Sequence, residues 1–311
     1  MPQQANQPLP PGYVLNGYRI EKPLSSGGFS IVYLARDEAG TQFAIKEYLP
    51  SMLPLRPDGV EIRLTDEATQ TVFRHGLKCF FEEGRALALI QHPNVVRVEN
   101  FFRANETCYM VMGYVRGRTL QFHIQKNQAE LTEVFIRRTF LSLLNGLREV
   151  HACKLLHLDI KPANIHLRED ATPVLIDFGA SRRMLGAEDP LLRPIFTPGL
   201  AAPEVHCDRA KLGPWSDIYS VGATLYACMF MRPPQPAPER MAGDRLVPAA
   251  KAGAGKYSAG LLELVDWCLR LDCLQRPQSV LALQKALLGP GHEATRVPED
   301  PKAMLRWIMG V

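Results

Sequence analysis

The stretch His157-Leu-Asp159-Ile-Lys161-Pro-Ala-Asn164, followed by Leu175-Ile-Asp177-Phe-Gly179, holds the residues of this chain best suited to chemistry. Lys161 lies two residues after Asp159, Asn164 five after it, and Asp177 thirteen after Asn164. The set supplies a carboxylate to accept a hydroxyl proton, a cation to steady a moving phosphoryl group, and two oxygen ligands for Mg2+. Magnesium takes hard oxygen ligands and completes its shell with phosphate and water rather than a full protein cage. Phosphoryl transfer asks for little beyond positioning and charge neutralisation, which these residue types deliver. A polar loop between apolar strands is the plain alternative, but such loops rarely carry this ordered set.

Upstream, Leu24-Ser25-Ser26-Gly27-Gly28-Phe29-Ser30-Ile31-Val32 is a turn-prone run between apolar segments. Glycine has no Cβ, so backbone N–H groups there can approach a phosphate closely. Alone, the run reads equally well as an ordinary hairpin turn. Lys46 ends the apolar segment Gln42-Phe-Ala-Ile-Lys46, sixteen residues past Ser30. From there its ammonium can reach α- and β-phosphate oxygens, although strand lysines are commonly solvated edge residues. Glu83, ahead of Leu87 and Ile90, is placed to hold Lys46 as an ion pair.

These residues need elements to position them. Strands are predicted over 18–20, 31–35, 42–46, 95–102 and 108–114. The apolar positions Leu77, Phe80, Phe81, Leu87 and Ile90 predict a helix over 73–90. Residues 50–66 carry three prolines and read as an insertion or loop. Beyond about residue 115 the pattern turns helical, over 139–150, 217–230, 259–271 and 279–288. The 217–230 run is apolar nearly all round, which implies a helix buried at the centre of its domain. Length gives a soft allowance of about two domains. A hydrophobic fraction of 46% and a charged fraction of 22% are those of a folded globular chain. The 25 prolines of 311 residues exceed the usual ~5%. A net charge of +4 is too mild to make nucleic acid or membrane the main partner. No apolar run reaches the ~18 residues of a membrane span, and the Pro/Gln-rich start is not a signal peptide. Seven scattered cysteines read as reduced thiols of a cytoplasmic protein.

Taken together, these motifs resemble the eukaryotic-like (Hanks-type) protein kinases over about residues 18–288. The resemblance implies an α+β, bilobal protein-kinase fold, with a small β-rich N-lobe carrying one helix and a larger α-helical C-lobe. It assigns 1–17 to a flexible leader, 18–114 to the N-lobe, 115–288 to the C-lobe and 289–311 to a tail. Ser25-x-Gly27-x-x-Ser30 looks like the glycine-rich loop, so Leu24, Ser25, Ser26, Gly27, Gly28, Phe29, Ser30 and Val32 are implied around ATP. Ala44, Lys46, the gatekeeper Met112 and the hinge residues Gly113, Tyr114 and Val115 join them. Glu83 opens E-x3-L-x2-I-x-H-P-N-V-V, which runs through His92-Pro-Asn94. Asp159, Lys161, Lys46, Glu83 and Thr197 are implied as catalytic, and Asn164 and Asp177 as ligands for Mg2+, with Mn2+ as an alternative ion. Ala202-Pro-Glu204 resembles the end of the activation segment, Asp217 the buried aspartate of the central helix, and Arg276 the partner of Glu204. Lys161 and Thr197 fit the serine/threonine-specific subset. EYLPS, TPVLIDFGA and GPWSDIYSVGA look like a proteobacterial branch of the bacterial enzymes. The implied partners are proteins with serine or threonine acceptors, and a cognate phosphatase.

The chain departs from the pattern at several places. Serines replace two loop glycines, at 25 and 30, which should stiffen the loop without removing ATP binding. Leu158 stands where regulated kinases carry an arginine that contacts a phosphorylated loop, and leucine cannot pair with phosphate. From Arg182 through Phe196 there is no Ser, Thr or Tyr. Activity is therefore expected to be independent of phosphorylation there, with Glu188 and Asp189 available as fixed charge. Two rival readings are a pseudokinase scaffold, against which all five of Lys46, Glu83, Asp159, Asn164 and Asp177 stand, and a small-molecule kinase, against which Lys161, Thr197 and Ala202-Pro-Glu204 stand. A signal, if sensed, is expected to act through a partner, the tail or the 50–76 insertion.

Overall fold

A computed structural model describes residues 6–53, 55–56, 60–63, 66–178 and 197–289. The first part is a six-stranded antiparallel sheet in the order β1-β2-β3-β4-β6-β5. Its strands are β1 (Val14–Leu15), β2 (Tyr18–Ser26), β3 (Ser30–Arg36), β4 (Gln42–Tyr48), β5 (Val98–Ala104) and β6 (Thr107–Gly113). The central strands are largely buried; six of the seven β6 residues are buried, and β4 carries Lys46 and Glu47 among its buried positions. The 18–20 and 31–35 strands expected from sequence extend to Ser26 and start at Ser30, leaving a turn of three residues between them.

One long helix, α1 (Glu67–Leu87), covers this sheet. It begins six residues earlier than the apolar pattern suggested. The extra turns are polar and start from a cap: Asp66 accepts a hydrogen bond from Thr69 N at 2.7 Å, and Glu67 suits the positive helix end. Phe73, Gly76, Phe80, Glu83 and Leu87 form the buried stripe. Each fully buried aromatic of this stripe contributes about 1.5–3 kcal/mol of transfer free energy. Gly76 allows a close approach. A Cβ there would lie 1.9 Å from the Tyr48 hydroxyl, so the helix seats against β4 only because the side chain is missing.

The 50–66 run forms no strand or helix among its described residues, yet it is packed, with Leu53, Leu55, Arg56 and Ile62 buried. The leader expected to be flexible over 1–17 is held down from Asn6 onward. Asn6 and Leu9 are buried, and Leu9 N donates to the Tyr33 hydroxyl at 3.1 Å. Composition misjudged this stretch because single residues scattered among its prolines, Asn6, Gln7 and Leu9 with strand β1, carry the attachment.

The second part is helical: α2 (Leu120–Lys126), α3 (Glu133–Ala152), α4 (Pro203–Cys207), α5 (Pro214–Phe230), α6 (Ala237–Ala242), α7 (Ala249–Ala252), α8 (Ala259–Cys268) and α9 (Val280–Leu288). A small sheet, β7 (Arg118–Thr119), β8 (Ile165–Leu167) and β9 (Pro173–Leu175), lies among them. Every residue of α5 from Ser216 to Met229 is buried, as the all-round apolar pattern implied. A Cβ at Gly222 would come within 2.4 Å of the Cys268 Cβ, so α5 and α8 pack nearly backbone to backbone. The two parts are stitched by backbone: Leu175 N donates to Asn94 O at 2.8 Å, and Val96 N to Leu175 O at 3.0 Å. The bilobal α+β architecture implied by the sequence is present.

Candidate active site

Lys46 sits on β4, flanked by Val32 of β3 and Met110 of β6. A central strand has neighbours on both sides, so the lysine is aimed rather than free to wander. Its Nζ donates to Glu83 Oε1 at 3.0 Å and to Asp177 Oδ1 at 2.9 Å. Lys46 and Glu83 are both buried, while the Asp177 side chain keeps 48% of its exposure. The Phe80 ring lies 5.9 Å from the ammonium. Sheet, helix α1 and the 175–178 segment therefore meet at one cation.

Asp159 faces a second cluster. Lys161 Nζ donates to its Oδ2 at 2.8 Å. Asn164 Nδ2 donates to the same oxygen at 3.0 Å and to the Asp159 carbonyl at 2.9 Å. Burial pushes the Asp159 carboxyl above its ordinary range, against the opposing pull of Lys161. Such a carboxylate is a stronger proton acceptor than a solvated one.

The loop carrying Asp159 is fixed from below by α5. Asp217, fully buried, accepts from His157 N at 2.8 Å, Leu158 N at 2.7 Å and His151 Nε2 at 2.8 Å. Burial works to raise its pKa, but the hydrogen bonds and charge of His151 outweigh it and hold the carboxyl low. Leu158 has φ 59° and Asp177 φ 60°, left-handed values that cost a non-glycine residue about 1–3 kcal/mol each. The Asp217 bond to Leu158 N offsets the first. His157 is fully buried; burial lowers its pKa. Its Nε2 donates to Ile176 O at 3.1 Å and its Nδ1 accepts from Asp159 N at 3.2 Å, the bonds of a neutral ring. The ring also packs against Phe178, tilted by 50° with centroids 4.4 Å apart, which ties the Asp159 loop to the Asp177 segment.

The remaining expected residues fall in three groups. Ser25 and Ser26 end β2, Ser30 opens β3, and Gly27 N closes the turn on Ser30 O at 2.9 Å. Leu24 lies on β2, Val32 on β3, and Ala44 pairs in register with Met112. Phe29 and Met112 are buried; Tyr114 and Val115 are half-buried after β6 ends. Thr197 accepts from Leu200 N at 3.1 Å through its carbonyl; no described hydrogen bond joins its side chain to Asp159 or Lys161. Gly179, residues 182–196 with Glu188 and Asp189, and the tail from 290 lie outside the described residues. Glu204 and Arg276 meet as expected, at 2.8 and 3.0 Å, and Ser216 Oγ also donates to Glu204 at 2.7 Å.

Sequence reading missed one polar cluster entirely. Arg56 donates through both Nη atoms to Glu47 at 2.7 Å, and the Tyr33 and Tyr109 hydroxyls donate to the same carboxylate at 2.7 and 2.5 Å. Burial raises both tyrosine hydroxyls well beyond their usual range, with Glu47 adding to it. No spacing rule links residues 33, 47, 56 and 109, so no sequence signal announced them.

A curled antiparallel sheet over a helical part, with a buried lysine–glutamate pair facing an Asp/Lys/Asn loop, is the architecture of a phosphotransferase of the protein kinase class. The family model described as "Protein kinase domain" matches residues 18–288. The chain belongs to that family, among its Hanks-type bacterial serine/threonine kinases. It is 30% identical over 290 residues to serine/threonine-protein kinase C of Synechocystis sp., covering 88% of this chain and 50% of that protein. It is 32% identical over 231 residues to serine/threonine-protein kinase B of the same organism, covering 70% of this chain and 37% of that protein. Among solved structures, the PpkA-294 apo form superposes with a TM-score of 0.80 at 34% identity, covering 90% of this chain and 99% of that one. The chain thus spans half or less of these two curated relatives. No described helix is long and apolar enough to cross a membrane.

Proposed function

We propose that this chain transfers the γ-phosphoryl group of ATP to serine and threonine hydroxyls of protein substrates. The observation that carries the reading is the single cation Lys46 bonded at once to Glu83 and Asp177, beside a loop in which Lys161 and Asn164 converge on Asp159. A scaffold that only docks has no need of a buried ion pair whose exposed third partner is a metal-type carboxylate. In this reading residues 18–114 form the lobe over the nucleotide and 115–288 the lobe that receives the substrate.

Leu24, Val32, Ala44, Met112, Tyr114 and Val115 enclose the adenine, and the backbone of 25–30 covers the phosphates. Lys46, steadied by Glu83, orients the α- and β-phosphates. Asp177 and Asn164 offer a carboxylate and an amide oxygen, hard ligands that fit Mg2+ or, as the alternative, Mn2+; with its Nδ2 on Asp159, Asn164 has its oxygen left to ligate. The ion, when bound, neutralises phosphate charge. Asp159 orients the substrate hydroxyl and takes its proton as the oxygen attacks. Lys161 holds the charge that builds on the transferred group, and Thr197 belongs to this set by resemblance. Incubating wild type and Asp159→Asn with γ-labelled ATP and Mg2+ tests the reading. Label on serine or threonine with wild type alone supports it; no transfer by wild type supports the scaffold, and transfer only to added metabolites a small-molecule kinase.

The same reading makes the activity independent of phosphorylation at 182–196. Leu158 is buried with its N–H on Asp217, so the loop is set from α5 and not by a phosphate. A cognate phosphatase acting on the substrates is the matching partner, in a cytoplasm that keeps all seven thiols free.

A further inference from the structure

We propose that Asn6 is a positioning residue for the nucleotide-binding turn, acting through residues 49–56 at the back of the sheet. The inference rests on the reading above, which gives the 25–30 turn a nucleotide to hold.

Asn6 is only 3% exposed. Its Nδ2 donates to Pro50 O at 3.1 Å and Leu53 O at 2.9 Å. Its Oδ1 accepts from Leu55 N at 2.7 Å and Arg56 N at 2.8 Å. An amide side chain has two donors and two acceptor positions, and here all four go to one stretch of irregular backbone. Among the described residues 50–53, 55 and 56 no strand is formed, so Asn6 supplies hydrogen bonds that a sheet ladder would otherwise give. Gln7 adds two backbone bonds, to Arg56 O at 3.1 Å and from Arg56 Nε at 2.9 Å.

The stretch so held grips the turn from its other side. Ser51 donates to Gly28 O through its N at 2.8 Å and its Oγ at 3.1 Å. Leu49 N donates to Phe29 O at 2.9 Å. A trans peptide points its N–H opposite its C=O, so anchoring Gly28 O on Ser51 aims Phe29 N–H away from the 49–56 segment. Arg56 extends the same connection to β4: its bidentate partner Glu47 is the neighbour of Lys46, and both Arg56 and Glu47 are fully buried. The turn and the lysine strand thus share an anchor that starts at residue 6. A loop whose six residues include three serines and two glycines, and which needs a wall to keep one shape, receives that wall from the leader.

The test uses the full chain as wild type, Asn6→Ala, Asn6→Asp and Ser51→Ala. Mg-ADP binding is measured by calorimetry, beside thermal melting and the KM and kcat for ATP. Asn6→Ala is expected to bind Mg-ADP about tenfold more weakly, raise the KM for ATP similarly and leave kcat within about threefold. Asn6→Asp keeps the acceptor but sets a buried carboxylate oxygen against the Pro50 and Leu53 carbonyls, so its affinity falls at least as far as that of Asn6→Ala. Ser51→Ala, at the other end of the connection, keeps the backbone bond to Gly28 O and loses only the hydroxyl one, so it weakens binding about threefold with a small drop in melting temperature, and decides the matter should Asn6→Ala fail to fold. Variants that bind Mg-ADP as wild type does, whatever their melting temperatures, overturn the inference. Wild type that binds no Mg-ADP overturns the kinase reading itself, a different result from the first.

Discussion

Lys46 has two carboxylate partners of unequal worth. Glu83 is as buried as the lysine, whereas Asp177 is half in solvent. Removing one member of a buried pair strands the other and costs about 3–5 kcal/mol, while an exposed pair contributes only about 0–1 kcal/mol. Lys46→Met should therefore lower unfolding free energy by about 3 kcal/mol in urea melts, and Asp177→Ala by less than about 1 kcal/mol. Their activities do not follow that order: both should lose transfer by orders of magnitude, because these groups act as a unit. Asp159 makes a pH prediction. Burial raises its pKa, and only the ionised form takes a proton, so activity is lost on acidification at a pH above the ordinary aspartate value of about 4. Lys161 opposes the shift; in Lys161→Ala the acid limb of the kcat/KM profile should move further up. A limb that stays put would separate Asp159 from the titration. Asp217 runs the other way. Its folded pKa is held low, so its stabilisation is present above the unfolded value and drains away as pH falls through the folded one.

At the scale of elements, the site depends on how α1 seats on β4. The Tyr48 ring packs between Phe73 and Phe80, at 5.2 and 5.8 Å, with its hydroxyl over Gly76. Gly76→Ala should push the helix outward and destabilise by about 1–3 kcal/mol. Adding Tyr48→Phe removes the obstructing oxygen and should recover part of that loss; thermal melts of the two singles and the double check it, and additive losses would rule out the contact. The helix itself was legible because Phe80 and Leu87 recur on one face, and the burial of α5 because its apolar residues go all the way round. The convergence of Lys161 and Asn164 on Asp159 was legible because their spacing in a loop is itself the signal. The two- and three-residue strands β7 to β9 were not, since pairing across sequence decides them more than any pattern within them. Asn6 and Arg56 were unreadable for the same reason: one amide among Pro and Gln residues means nothing until four backbone groups surround it.

Across the whole molecule, both parts converge on one cation–carboxylate junction, and the bond from Lys46 to Asp177 spans 131 residues of sequence. The loop beneath it is set by Asp217, and no arginine precedes Asp159. Exhaustive phosphatase treatment should accordingly leave turnover within about twofold; loss of most activity, regained by phosphate between 182 and 196, contradicts that. The central claim is that the Lys46 and Asp159 clusters form one phosphoryl-transfer unit. Single-turnover transfer from ATP to a serine substrate, measured for wild type, Lys46→Met, Asp159→Asn and the double variant, tests it most directly. The account predicts transfer by wild type, a loss of about 10³-fold or more in each single, and a double little worse than the poorer single. Undiminished transfer by Asp159→Asn, or losses that multiply in the double, would contradict it.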